Sequence, residues 1–258
     1  MKIVPLIFLM LAQSLLGQAV KLIESTPFKA DTFIGVDGYK NLYFVKTNVF
    51  HKQGAEGSFM FNDYQLGQIS SVDIINPLKI VLFYEDVNTV VLVDNKLSEI
   101  ERINFNNVPD LINVSTATNA GNNKLWIFNV DTNQLELYDY RSQRRTTVSQ
   151  PFVGKLLSQA SNFNYCFMLT ERKLRTFNVY GSLLSELAAE GFEKIVQQNE
   201  NVLALKRNEL FYISENSIKP IKIPISENTI KDLQLTQDLL YIYDGINILI
   251  YKLTQPKQ

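Results

Sequence analysis

Hydrophobic positions along this chain fall in short runs rather than in helical stripes. Runs of about five residues, rich in Ile, Val, Leu, Phe and Tyr, are set apart by turns of Asn, Asp, Gly and Ser. Short apolar runs bounded by turn formers predict β-strands. The stretch with the best helical spacing is Ser182 to Gln198, but Gly191 interrupts it and its tail, Glu193 to Gln198, alternates better as a strand.

Six of the apolar runs superimpose: Asn41 to Val45, Lys79 to Tyr84, Lys124 to Phe128, Tyr165 to Leu169, Asn201 to Leu205 and Asp238 to Tyr243. Each follows a polar turn. In five of the six, a second strand comes after a short turn, as in Thr89 to Val93, Gln134 to Tyr138, Lys173 to Phe177, Glu209 to Ile213 and Ile246 to Tyr251. Third strands follow at Glu99 to Ile103 and Ile218 to Ile223, and preceding strands are read at Ser71 to Ile75, Leu111 to Val114 and Thr229 to Leu235. With Leu42, Ile80, Leu125, Cys166, Leu203 and Leu240 as equivalent anchors, the gaps are 38, 45, 41, 37 and 37 residues. A mean of about 40 is what four short strands and their turns consume, and it is the period of a propeller blade. The fold class is therefore all-β, a β-propeller of six four-stranded blades. An irregular sandwich or barrel is the competing architecture. The last unit stops after its third strand, near Thr254, while Val20 to Glu24 stands as a spare strand at the other end. If the spare strand completes the last blade, the ring closes and its edges are paired. The first unit is the least regular; its later strands must lie within Asn48 to Gln65, where His51 to Gly57 reads as a loop insertion.

Residues 1–19 read as an address. Lys2 gives a positive start, Ile3 to Leu16 an apolar stretch, and Gly17 and Ala19 small residues beyond it, the layout of a secretory signal peptide. Cleavage fits after Gly17 or after Ala19. The apolar stretch, roughly 14 residues, is short of the about 20 needed to span a bilayer. The expected organisation is a signal peptide over 1–19 and a single propeller domain over 20–258, in the periplasm or, as second choice, outside the cell. No membrane span is expected after signal removal.

Composition narrows the chemistry. With 25 Lys+Arg against 26 Asp+Glu, the net charge is −1, which gives no electrostatic footprint for nucleic acid. One His and one Cys cannot build a four-ligand Cys/His zinc site or an internal disulfide. Cys166 lies in an apolar run and reads as a buried, inert thiol. A Ser-His-Asp or Cys-His device would have to use His51, which reads as a solvated loop residue. No Gly-rich phosphate loop occurs. No catalytic residue, cofactor or metal is expected.

Two sets of residues remain as candidates. Asp37 and Asp73 occupy similar places in the first two units and could present carboxylates to the channel mouth for a cation or a sugar hydroxyl; turn-capping is the competing reading. Tyr138, Tyr140, Arg141, Arg144 and Arg145, with His51, form a Tyr/Arg-rich candidate contact surface, a solvated hairpin being its competitor. Two functions follow: a non-enzymatic module that binds a protein partner through its loops, or a small-ligand, sugar-binding or hydrolytic propeller of lactonase- or lyase-like type that uses the central channel.

The leader ending in Gly17-Gln18, the Asn/Ile/Lys-rich composition, and units such as Gly121 to Asp131 and Asn133 to Asp139 resemble exported propeller-type proteins of Bacteroidota. Among these the chain is similar to small periplasmic subunits associated with the type IX secretion translocon, such as its plug component. The similarity covers most of residues 20–254 and is carried by the blade pattern. It implies a non-enzymatic protein that docks on an outer-membrane protein complex, and it transfers no functional residue.

Overall fold

The structure is a computed structural model that describes residues 20–214, 217–221 and 229–253. The proposed signal segment, residues 1–19, lies outside the described residues. Every described element is a strand, and the strands form six four-stranded sheets in which neighbours run antiparallel. In chain order, β1 (Val20–Pro27) comes first. Blade 1 holds β2 (Thr32–Val36), β3 (Leu42–Lys46), β4 (Val49–Gly54) and β5 (Gly57–Phe61). Blade 2 holds β6 (Ser71–Asp73), β7 (Ile80–Tyr84), β8 (Thr89–Val93) and β9 (Glu99–Asn104). Blade 3 holds β10 (Val114–Gly121), β11 (Lys124–Asn129), β12 (Gln134–Asp139) and β13 (Arg144–Thr147). Blade 4 holds β14 (Leu156–Ser161), β15 (Tyr165–Thr170), β16 (Lys173–Asn178) and β17 (Leu183–Ala188). Blade 5 holds β18 (Lys194–Gln198), β19 (Asn201–Lys206), β20 (Glu209–Ser214) and β21 (Ser217–Ile221). Blade 6 holds β22 (Asp232–Leu235), β23 (Leu239–Tyr243) and β24 (Asn247–Leu253), and its fourth strand is β1.

The spare N-terminal strand therefore closes the ring. Val20 pairs with Leu253 and Pro27 with Asn247, with a bulge between Leu22 and Glu24. The sheet order β1-β24-β23-β22 joins the two ends of the described chain in one blade.

Three sequence expectations need correction. The innermost strand of blade 3 is Val114–Gly121 rather than Leu111 to Val114; Asp110 and Leu111 belong to the connection from blade 2, where Val114 N–H and the Ile112 carbonyl are tied to Asn88. The His51 to Gly57 segment is a hairpin, not an inserted loop: β4 pairs with β5 from Phe50–Phe61 to Gly54–Gly57. The helical spacing of Ser182 to Gln198 resolves into β17 and β18, because Gly191, at φ 79°, breaks the run with a left-handed turn.

The core is divided among the seams between blades. Val81, Phe83 and Leu92 pack against Leu125, Ile127 and Tyr138 between blades 2 and 3. Trp126 and Phe128 meet Cys166 and Met168 between blades 3 and 4, and Leu203 and Leu205 meet Leu240 and Ile242 between blades 5 and 6. Central strands face a neighbouring blade on both sides, so β7 and β8 are buried at every position and read as continuous apolar runs. At the closing seam between blades 6 and 1 the fully buried cluster is Phe33, Tyr243 and Ile248. It is reinforced by Phe28, edge-on to Phe44 at 5.1 Å and to Tyr243 at 5.7 Å, and by the Tyr243 hydroxyl, which meets both N and O of Ala30 at 3.0 and 2.9 Å.

Candidate functional site

The innermost strands β2, β6, β10, β14, β18 and β22 surround a central cavity of about 830 Å³. Strand direction reverses at every turn. The turns after first and third strands therefore gather on one face of the ring, and the turns after second and fourth strands gather on the other. Asp37 to Lys40, Ile74, Pro77, Gln198 and Thr236 all line the cavity and all lie on or beside first turns, so the cavity opens on that face.

Most polar side chains in the cavity wall are spent joining one blade to the next. The Gln159 amide of blade 4 donates to Thr118 Oγ1 of blade 3 at 2.8 Å and accepts from Thr116 Oγ1 at 2.6 Å. Gln197 of blade 5 donates to the Ser161 carbonyl of blade 4 at 2.7 Å. Gln234 of blade 6 accepts from Val36 N–H at 2.7 Å and donates to the Val36 carbonyl at 2.9 Å in blade 1. A few residues along, Asp232 accepts from Phe33 N–H of blade 1 at 3.0 Å and from Lys194 Nζ of blade 5 at 2.9 Å. One carboxylate thus ties together three blades. Such side-chain bonds satisfy the innermost strands where no further strand is available.

Asp37 and Asp73 both line the cavity, and both are occupied by donors. Asp37 accepts from the backbone N–H of Tyr39 and of Asn41, from Asn41 Nδ2, and from the Tyr43 hydroxyl, at 2.8 to 2.9 Å. Burial works to raise its pKa, but these hydrogen bonds outweigh burial and hold the carboxyl below the usual range. It is a turn cap for the first turn of blade 1. Asp73 accepts from Ile75 N–H at 2.9 Å and from Asn119 N–H of blade 3 at 2.7 Å. Burial pushes its pKa up to about 6, and the two N–H bonds pull it back only in part. Asp37 and Asp73 therefore both line the cavity with their lone pairs engaged by the fold.

The Tyr/Arg group is split by the structure. Tyr138 is fully buried in the seam between blades 2 and 3, edge-on to Phe105 at 5.2 Å, and Tyr140 is buried beneath the Lys79 ammonium, which donates to its hydroxyl at 2.7 Å. Both are core residues, because the strand β12 turns its even positions into that seam. Arg141, Arg144 and Arg145 are exposed. Arg141 reaches Glu101 of blade 2 at 3.2 Å, and Arg145 lies 3.9 Å from the buried Glu136, so two of the three guanidinium groups work as clips on their own molecule. His51 is a strand residue of β4, half-buried and stacked on Phe44 at 4.8 Å with 9° between the rings. Burial, then the nearby Lys46 charge, lower its pKa. Cys166 is fully buried, which raises its thiol pKa well above the ordinary value. Among the described residues no group of three or more His, Cys, Asp or Glu side chains could hold a metal ion.

The feature that residue-by-residue reasoning missed is a set of large apolar side chains held out at turn tips. Tyr39 is 80%, Leu78 68% and Tyr180 90% exposed on the face with the cavity mouth, and Tyr64 88% and Val153 80% on the opposite face. Leu78 carried a readable signal, since it follows Asn76-Pro77 in a turn where an apolar residue has nothing to pack against.

No family model matches the chain, and no curated protein matches it. Solved structures do resemble it. Virginiamycin B lyase from Staphylococcus aureus superposes with a TM-score of 0.61 at 12% identity, over 86% of this chain and 79% of that one. The BBS1N protein, solved in complex with ARL6DN, superposes with a TM-score of 0.61 at 11% identity, over 87% of this chain and 79% of that one. PorZ, a surface component of the type IX secretion system of Porphyromonas gingivalis, superposes with a TM-score of 0.51 at 17% identity, over 85% of this chain and 31% of that one. The lyase and the two assembly components have sequences this remote from the chain, and what this chain has in common with all three is the β-propeller.

Proposed function

We propose that this protein is a non-enzymatic exported interaction module of the periplasm, docking on an outer-membrane protein-export complex of the type IX kind. The observation that carries this reading is the division of labour just described. The channel carboxylates and amides are occupied in capping turns and joining blades, while large apolar side chains stand uncovered on turns of a rigid ring. Polar groups tied up in the fold supply no general base or nucleophile, whereas rigidly presented apolar tips are what a protein partner buries. The likeness to PorZ favours an export assembly over other partners, and BBS1N, which superposes on this chain, was solved in complex with ARL6DN.

The test is crosslinking in the native envelope followed by co-purification. A stoichiometric outer-membrane partner is the expected result. Recovery as a free monomer, or a metal-dependent hydrolytic or lyase activity lost in Asp73→Asn, would overturn it in favour of a channel enzyme.

A further inference from the structure

Exposed apolar side chains scattered singly over a surface need no explanation. Three of those on this ring are not scattered. Tyr39, Leu78 and Phe163 stand on the first turns of blades 1, 2 and 4. First turns leave the innermost strands and are the turns nearest the axis; Tyr39 lines the cavity itself, and Leu78 and Phe163 stand on the same face, next to or near the lining residues Pro77 and Ser161. Beneath them lies about 830 Å³ of space, within the range of sites that take a few residues or a small ligand. Its walls alternate branched apolar side chains such as Val72 and Leu233 with amides and hydroxyls such as Gln159 and Thr118.

The lining carries little net charge, two carboxylates against one ammonium. Lys40 is its one cation among the described residues, and Asp37 and Asp73 are its carboxylates, held by four and two donors respectively. Such a lining offers no strong field to a charged ligand. It suits an uncharged chain that brings apolar side chains and its own backbone N–H and C=O groups. Size then selects among uncharged occupants. A molecule fitted to the cavity alone leaves Leu78 and Phe163 in water. A flat protein face covers the rim and leaves the cavity unfilled. An extended segment of a larger protein fills the one and covers the other.

We infer that the face bearing the first turns is the docking face, and that an uncharged, apolar-anchored extended segment of the protein partner enters the central cavity there. This rests on the interaction-module reading and specifies its site.

The experiment is selection of a random ten-residue phage-displayed peptide library on the immobilised full chain, with the enriched peptides resynthesised and titrated against variants. The expected result is enrichment of uncharged sequences with apolar anchors. Their affinity should fall at least tenfold in Leu78→Asp, on the rim, and in Gln198→Trp, which narrows the mouth. It should be unchanged in Tyr64→Ser and Val153→Ser on the opposite face. Thermal unfolding of each variant at the parent's temperature secures that the fold is intact. Failure to enrich any sequence, enrichment of charged sequences, or sensitivity only to the opposite-face variants would each overturn the inference. A partner recovered by envelope crosslinking in that event leaves the interaction-module reading standing and removes only this site.

Discussion

At the scale of single residues, the informative groups are polar ones inside seams. The Tyr84 hydroxyl is buried and has no hydrogen-bond partner among the described residues, and burial raises its pKa. A buried donor left unpaired costs about 1–3 kcal/mol. Tyr84→Phe keeps the ring and removes that cost, so we expect the variant to be more stable than the parent by about 1 kcal/mol, read from urea midpoints at unchanged slope. Asp73 gives a pH signature. Its pKa rises from 3.8 unfolded to about 6 folded, so between those values the folded state binds the extra proton and stability falls as pH rises. The full shift corresponds to about 3 kcal/mol. Unfolding free energies measured from pH 3.5 to 7 should decline for the parent relative to Asp73→Asn, and a flat difference would remove burial as the dominant influence on this carboxyl. Asn is abundant for a related local reason: Asn48, Asn88, Asn123, Asn133, Asn199 and Asn208 sit at positive φ between 50° and 65° in tight turns, a region Asn tolerates better than branched residues. The Asn-rich loops that could be read as a ligand-binding composition are first a requirement of turn geometry.

At the scale of elements, what decides the structure is how one innermost strand reaches the next. β2 and β22 are joined by the paired bonds of Gln234 to Val36, and this close approach needs Gly35: a Cβ there would lie 2.6 Å from the Gln234 side chain. In Gly35→Ala the glutamine must swing away and give up both bonds, an expected loss of about 1–3 kcal/mol. Because the two residues share one interaction, the cost of Gly35→Ala should shrink in a Gln234→Ala background, and a double-mutant cycle measures that coupling. Additive costs would assign the loss to backbone strain alone. The strands themselves were legible in the sequence because central propeller strands are apolar on both faces. β7, β11, β15, β19 and β23 announce themselves as runs, whereas β10, with Thr116, Thr118 and Asn119 serving the seams, is too polar to stand out, and the apolar Leu111 to Val114 just before it reads as the strand instead. The same polar commitments hid the candidate site. Asp37 and Asp73 are visible as residues, but the donors that occupy them come from turns and from a neighbouring blade, and spacing along one strand cannot reveal those.

At the scale of the whole molecule, six seams in a circle share one fate. The buried cluster at the closing seam holds Phe33, Tyr243 and Ile248, fewer residues than the seam between blades 2 and 3, so more of its hold comes from aromatic edges, the Tyr243 hydroxyl and the pairing of β1 with β24. Deleting residues 20–27, with any leader retained upstream, should therefore lower the unfolding temperature by more than about 10 °C and raise amide exchange in β23 and β24 ahead of β11 and β15. Unchanged protection of β24 would show that the ring does not depend on its N-terminal strand.

The pairing that seals the ring also has a consequence in time. Leu22 and Tyr251 are partners 229 positions apart in the chain, so a polypeptide delivered from its N-terminus by the ribosome holds β1 unmated until β24 has arrived. Contacts of such long separation form slowly. Through most of its delivery the chain is an open arc with a bare strand at one end and a bare blade at the other. Completion of the circle reports that all six blades have arrived, so a copy cut short before β24 cannot close its ring.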